Sequence, residues 1–534
     1  MVSASPRALA GIASDRAAGL HVRIENPLPR SLPVGSASAI FCFGHCFHRH
    51  EAVTRLELVV GGVRHRPAAT GMPRRDLLQW LHGPHGGGED PEGRSYRSGF
   101  WAVIPLPAQP RPGALAVQAA VRLADGAELV TELGEIEIEI EAADPARTAR
   151  RAVPDRPGVP DRPPVPAGTI AICMTTFEPE ISLFAVQVES LRAQSDDRWR
   201  CVISDGGSRA ESLAAIREVL GDDPRFELSA SPERLDPYRN FERALRRAPA
   251  GAELIALCDQ DDRWYPEKLA ALRAGLGSAS MVYSDQRLVT DDGRVLRDSL
   301  WKGRRNDWSN LASLLVANAV PGAAMLFRRE LLERALPFPE APGLVWHDHW
   351  LALAALAGGS IAYVDRPLYD YVQHVGAVSG DVAGGPRGRR PVAAARTGRS
   401  RLVARGKRGG SRGWRGAYFG GYLPRAVQAQ TLLLRCADTL TPHKRRALEL
   451  FVASADSPAA FAWLALRPLR ALAGRGETLG GEAALARGVL WRWLVAIAAG
   501  PAAPSARRPA LDASFPDPPR FEQPRLRRWR AGGR

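Results

Sequence analysis

The sequence predicts a multidomain chain: an N-terminal β-sandwich, a central α/β domain on a mostly parallel sheet, and a C-terminal α-helical region. Three observations predict it. Short alternating apolar runs recur through residues 20–141. Apolar strand-like runs then alternate with helical patterns from about residue 168 to 385, and helical periodicity alone governs about 418–500. A chain of 534 residues is also too long for one ordinary core.

The first 145 residues hold the sandwich. Its strand candidates are Leu20–Ile24, Thr54–Val60, Gly99–Ile104, Leu115–Leu123 and Glu135–Ile140, separated by Gly- and Pro-containing turns such as Asp125-Gly126. No segment of helical period is expected between them. Residues 146–167, rich in Pro and Arg, predict an extended linker. In residues 168–385, strands are expected at Thr169–Met174, Arg200–Ile203, Leu254–Cys258 and Met281–Tyr283. Helices are expected at Ser182–Ala193, Pro237–Arg247 and Pro266–Leu276. Residues 386–416, basic and Gly-rich, predict a flexible linker, 417–500 a helical region, and 501–534 a basic tail.

Composition narrows the function classes. The opening residues lack a basic start followed by an apolar stretch, and no run of 18 uncharged apolar residues follows, so neither a signal nor a spanning helix is expected. Six scattered cysteines suit a reducing compartment. Cys42 and Cys46 lie near His45, His48 and His50, which invites a zinc reading. No second ligand cluster with finger spacing follows, so core packing is the preferred reading. Charge is uneven: residues 381–534 carry 29 Lys+Arg against 9 Asp+Glu. Any anionic partner therefore meets one region, not the whole chain.

Four constellations carry chemistry. Asp259-Gln-Asp261-Asp262-Arg-Trp264 directly follows the apolar run Leu254–Cys258, which places carboxylates at the carboxyl edge of a sheet, where open α/β folds bind ligands. A diphosphate would be repelled by carboxylates alone, and a divalent cation between them resolves the conflict. An isolated acidic pair would instead be a solvated turn. Asp205-Gly-Gly-Ser208 ends another apolar strand: its carboxylate suits a base or ribose and its glycines suit close backbone approach, although Asp-Gly is also an ordinary turn. Asp348, between His347 and His349 and flanked by Trp346 and Trp350, has a partly apolar setting that would raise its pKa toward that of a general base; it also suits a helix N-cap. His374 is a candidate cation ligand, although a lone His is more often non-catalytic.

These residues, in their order, resemble family 2 inverting glycosyltransferases, most of all their rhamnosyltransferase-like branch. The resemblance rests on Thr176-Phe-Glu178-Pro, Gln187…Gln194, Asp205-Gly-Gly-Ser208, Asn240-Phe-Glu242, Asp259…Trp264, Tyr283-Ser-Asp285, Asn318…Gly322, His347-Asp348-His-Trp350 and Gln373-His374. It covers about 215 residues. It implies a GT-A fold, with Thr176, Glu178 and Asp205 holding the nucleotide. Asp259 and Asp261 would form the Asp-x-Asp site, Asp261 and His374 would ligate Mg²⁺ or Mn²⁺, and Asp348 would be the base. The family usually has a second Asp where Gly206 stands and often Asn where Glu178 stands.

The expected activity is therefore transfer of a sugar, with inversion, from a nucleotide diphosphate sugar to the hydroxyl of a glycan or lipid-linked acceptor, as in cell-envelope polysaccharide or glycolipid synthesis. The expected place is the cytoplasm, with peripheral contact at the inner face of an anionic membrane through the basic region and Trp463, Trp491 and Trp493. The competing reading is a non-catalytic carbohydrate-binding or scaffold protein that keeps a decayed transferase domain. Nucleic acid is not expected as a partner, because no RNA or DNA motif accompanies the charge.

Overall fold

The computed structural model of the chain describes residues 19–82, 90–140, 165–302, 307–340, 345–374, 410–471, 478 and 480–498. The tail at 501–534, most of the linker at 386–416 and all but the end of the linker at 146–167 lie outside the described residues.

Among the described residues nine strands come first: β1 Leu20–Ile24, β2 Ser31–Pro33, β3 Ser38–His48, β4 Val53–Val60, β5 Val63–His65, β6 Ala69–Met72, β7 Gly99–Leu106, β8 Gly113–Leu123 and β9 Glu128–Glu139. They form two sheets, ordered β1-β3-β7-β6 and β2-β9-β8-β4-β5. Period-two alternation sends Ile40, Cys42, Phe100, Ala102 and Ile104 from one sheet to meet Leu56, Leu58, Val117, Ala119, Ile136 and Ile138 from the other. Cys42 and Cys46 belong to this core; burial pushes both thiols up to about 12, so they are inert packing groups. One helix, Arg75–Leu81, does interrupt the strands. Its Leu77 and Leu81, one turn apart, pack with Phe47, and a single such repeat was too short to register as a helical period.

The central sheet holds the other nine described strands: β10 Ile170–Thr176, β11 Trp199–Asp205, β12 Phe226–Ala230, β13 Leu254–Cys258, β14 Arg263–Trp264, β15 Met281–Thr290, β16 Val295–Arg297, β17 Met325–Arg328 and β18 Ile361–Gln373. The order is β12-β11-β10-β13-β17-β15-β18-β14, with β16 added on β15. β10 pairs in parallel with β11 and β13, and β11 with β12. The expectation of a mostly parallel sheet needs correction beyond β13. There β17 inserts antiparallel between β13 and β15, β14 and β16 also pair antiparallel, and only β15 with β18 is parallel. The sheet is mixed because β17, reached through the helix Leu311–Val316 and the short turn Gly322–Ala324, runs antiparallel to both its neighbours.

Helices Ile181–Arg192, Pro237–Arg246 and Lys268–Leu276 fall close to expectation. Pro237–Arg246 shows why such a segment is helical: Asp236 caps it by accepting from the Arg239 amide, and Pro237 occupies the first turn. Its Phe241, Ala244 and Leu245 face the sheet.

The C-terminal helices, including Leu423–Arg435, Pro442–Ala453, Pro458–Leu466 and Gly481–Ala498, share one continuous core with the central domain and with the outer face of β3 and β7. Trp101 is fully buried there; its indole N–H donates to the Tyr418 hydroxyl at 2.9 Å, and its ring meets Phe419 edge-on at 5.1 Å. Of the three tryptophans expected at a membrane, this packing buries Trp491, while Trp463 and Trp493 stay partly exposed. Trp491 is 2% exposed among Tyr418 and Phe419, and Trp493 donates to the Ala455 carbonyl at 2.5 Å. Arg492 donates to the carbonyl of Ala455 at 2.8 Å and to the carboxylate of Asp456 at 2.9 Å, while Arg467 is buried beside Ser313 and the Trp463 ring. These polar handles find protein partners because the aromatic rings are spent on core contacts.

Candidate active site

Parallel pairing brings the ends of three strands to one edge. Thr176 on β10 stands opposite Asp205 on β11, and Met174 opposite Cys258 on β13, so Asp259 emerges beside them. Antiparallel β17 begins at this same edge, which delivers the turn Gly322–Ala324 to it. The helix His347–Gly358 starts against that turn: a Cβ on Gly322 would lie 2.9 Å from His347 Nε2 and 3.3 Å from Asp348 Cβ.

Two of the candidate ligands, Asp261 and His374, meet, and Asp259 stands near enough to Asp261 to feel its charge. β14 pairs with β18, Arg263 opposite Asp370, and this draws the acidic loop toward the end of β18. There His374 Nε2 lies 2.7 Å from Asp261 Oδ2, and the contact raises the histidine's pKa. Asp259 is half-buried; its carboxyl is pushed up to about 7 by desolvation and then by the like charges of Asp261 and Asp348. Asp262 is fully buried. One of its oxygens accepts from the Val372 amide at 3.3 Å and the other has no partner among the described residues. Desolvation, reinforced by Asp259 and Asp261, raises its pKa strongly.

This donor set fits a divalent cation. Uncompensated carboxylates stand together, an oxygen and a nitrogen donor lie side by side, and one buried carboxylate oxygen is orphaned. Among the described residues no three His, Cys, Asp or Glu side chains already converge on one point. The protein thus offers a partial shell of the kind completed by phosphate oxygens and water.

The sequence setting of Asp348 suits either a base or a helix N-cap. The helix begins one residue before it, after Trp346, so Asp348 lies inside the first turn and is not the cap. Its carboxylate accepts from the His349 amide at 2.7 Å, and from the Gly322 amide and the Asn318 side chain. Desolvation outweighs these bonds and pushes its carboxyl up to about 6. Neighbouring His349 is buried, with Nε2 2.7 Å from the Leu314 carbonyl, a structural bond. His347 stacks on Phe241 at 3.7 Å, and neither of its ring nitrogens has a partner among the described residues.

The three nucleotide candidates stand at the edge, but their polar atoms face protein. Asp205 Oδ1 accepts from the amides of Gly207 at 3.1 Å and Ser208 at 2.7 Å. Its Oδ2 accepts from Thr176 Oγ1 at 2.9 Å and Ser208 Oγ at 2.7 Å. All four acceptor directions of Asp205 are filled, so its carboxylate shapes the loop, while the Thr176 hydroxyl, a donor here, keeps its acceptor lone pairs. Glu178, at φ +42°, turns its carboxylate to the amide and guanidinium of Arg209 and the hydroxyl of Ser212. The start of the helix Ala210–Leu220 attracts it there.

The contacts of further motif residues emerge only in three dimensions. Asn240 accepts from Ser204 Oγ at 2.7 Å and donates to the Thr176 carbonyl at 3.2 Å, which ties a helix to both strand ends. Gln260 accepts from the Phe177 amide at 2.9 Å, and Arg234 covers the Phe177 ring at 4.1 Å. Gly206 has a packing reason: a Cβ there would lie 3.0 Å from Asn240 Nδ2 and 3.3 Å from the Leu235 carbonyl, so an aspartate would displace both. Pairwise spacing in the sequence gave no signal for these contacts.

Residues 172–336 match the family described as Glycosyl transferase family 2. Among solved structures, the chain is similar to S. aureus TarS 1-349 in complex with UDP-GlcNAc, at 14% identity and a TM-score of 0.39 over 61% of this chain and 90% of that one. The same TarS fragment in complex with UDP gives a TM-score of 0.35 at the same identity and coverage. No curated protein matches the chain.

Proposed function

We propose that the chain is a metal-dependent inverting glycosyltransferase, moving a sugar from a nucleotide diphosphate donor to an acceptor hydroxyl. The observation that carries this reading is the gathering of Asp259, the Asp261–His374 pair and Asp348 at one sheet edge, inside a family 2 domain. Asp259, Asp261 and His374 would hold Mg²⁺ or Mn²⁺, and a bound cation would offset charge growing on the leaving diphosphate. The nucleotide would lie against the loops built by Thr176, Glu178 and Asp205, with backbone groups and the Phe177–Arg234 face as its contacts. Asp348, partly desolvated and held by three donors, would take the proton of the attacking hydroxyl. Attack opposite the leaving group inverts the anomeric centre without a covalent enzyme intermediate.

The order of motifs favours the rhamnosyltransferase-like branch and an acceptor in cell-envelope polysaccharide or glycolipid. A decayed, carbohydrate-binding relative would have no use for a crowded acidic cluster that opposes its own ionisation. No described helix is long and apolar enough to cross a membrane. Peripheral contact with an anionic membrane is carried instead by Leu466, Leu469, Leu494 and Ile497, which are exposed on the C-terminal helices within the basic region. Nucleotide diphosphate release, measured across a panel of sugar nucleotides with Mn²⁺ and with EDTA, tests the activity. Release from none of them would leave the binding reading.

A further inference from the structure

Lys268 is fully buried, an unusual place for an ammonium group. Its Nζ donates to the Ala323 carbonyl at 2.5 Å and faces two rings, Trp264 at 3.6 Å and Tyr369 at 4.2 Å from the centroids. Each partner belongs to a different part of the candidate site. Trp264 closes the acidic loop that starts at Asp259. Tyr369 lies on β18, which ends at Gln373 beside His374, the residue paired with Asp261. Ala323 follows Gly322, whose amide bonds the carboxylate of Asp348.

We propose that Lys268 is a positioning residue: one buried cation that fixes the acidic loop, the strand of His374 and the turn beneath Asp348 in a single arrangement. The inference rests on the base assignment made above. A ring face and a carbonyl are both satisfied by a cation, and no neutral side chain of this length satisfies all three partners at once. A methionine would fill the volume without desolvating a charge, so filling alone does not account for an ammonium here. The residue touches no reacting atom; it acts through Gly322 and through the loop. Desolvation lowers its pKa to about 7 against the raising pull of Cys258, Asp262 and Asp259, while the two rings and the carbonyl are partners that suit the ammonium form.

The test compares Lys268→Met, Lys268→Gln, Asp348→Asn and the double variant Lys268→Met/Asp348→Asn in the full chain. Near-UV circular dichroism and thermal unfolding check the fold, and titration with UDP and Mn²⁺ checks nucleotide binding. We expect K268M to fold, to bind UDP within about threefold of wild type, and to lose about 10–100-fold in kcat with little change in acceptor KM. The double variant should be no slower than D348N alone, because the lysine acts through the base. Wild-type turnover by K268M, or losses that multiply in the double variant, would overturn the proposal while leaving the base assignment intact. Loss of fold in both the Met and Gln variants would make Lys268 a folding residue and overturn it equally. Full activity in D348N alone removes the base assignment itself, and this inference with it.

Discussion

Asp348 makes the sharpest claim on the chemistry, through pH. Its carboxyl is pushed up to about 6 by desolvation, against the opposing pull of the His349 and Gly322 amides and the Asn318 side chain. A base must be ionised to accept a proton, so activity is present above this pKa and is lost as pH falls through it. At pH 7 about nine-tenths of the protein holds Asp348 ionised, and at pH 5 about one-tenth, so kcat/KM should fall about tenfold between them. An ordinary aspartate, titrating near 4, would give almost no change over that interval. Asp348→Asn should lower kcat by about 10²–10⁴-fold and flatten the remaining response. The sign for stability is opposite to that for activity. A carboxyl whose folded pKa is raised opposes folding once ionised, so the Asn variant should unfold at an equal or higher temperature at pH 7. The assay is nucleotide diphosphate release at saturating Mn²⁺, which keeps Asp259 from adding its own acid limb. An unchanged rate from pH 7 to pH 5, or wild-type turnover by the Asn variant, would refute the assignment.

Three further outcomes are expected. Asp261→Ala should leave the unfolding midpoint nearly unchanged and abolish transfer, and EDTA should do the same to the wild type; full turnover in EDTA rules out the cation. Trp101→Ala should cost about 3–5 kcal/mol, as other large-to-small core changes do, because it empties the junction with Tyr418 and Phe419; a loss below about 1 kcal/mol in denaturant titration would mean that the junction is loosely packed. Leu494→Glu with Ile497→Glu should reduce co-sedimentation with anionic vesicles while leaving turnover on a soluble acceptor unchanged; equal binding by both proteins, or none by the wild type at low salt, excludes this face as the membrane contact.

Periodicity explains what could be read directly and what could not. Strands such as Ile170–Thr176 and Leu254–Cys258 are uninterrupted apolar runs, and the helix at Pro237 carries its cap and proline in the sequence. Strand direction carries no such mark. Met325-Leu-Phe-Arg328 has the same apolar texture as its neighbours, and its reversed direction shows only in its pairing with β13 and β15. The site was legible as ordered motifs, but not as contacts. Asp261 and His374 are separated by 113 positions, and their meeting depends on β14 pairing with β18. Burial was the least legible property. Lys268 in Pro-Glu-Lys-Leu looks like a solvated helical charge, and Trp491 like an interfacial anchor, because composition does not reveal which face another domain covers. Asp205 shows the complementary limit: the sequence marks it as an edge carboxylate, and only the loop geometry reveals that its acceptors are already filled.

The C-terminal helices bear on how the parts of the chain depend on one another. β3 is buried on both faces because each face has a different neighbour: Ile40 and Cys42 enter the sandwich, while Ala39, Phe41 and Phe43 enter the core shared with the helices. Arg435 donates to the carbonyl of Ala37 at 2.6 Å and to that of Ala335 at 3.1 Å, so one guanidinium joins the sandwich to the central domain. Arg425 donates to the Leu315 and Val316 carbonyls, and Lys444 to those of Leu356 and Gly359, the second of which caps the helix that starts at His347. A chain cut at residue 385 would therefore expose Leu314, Leu315 and the outer face of that helix, and would leave those carbonyls without partners. The helical region completes the fold of the central domain. Its surface can meet a membrane only through the side chains it does not spend inward, and the position of the sandwich relative to the sheet edge is set by buried contacts, not by the linker alone.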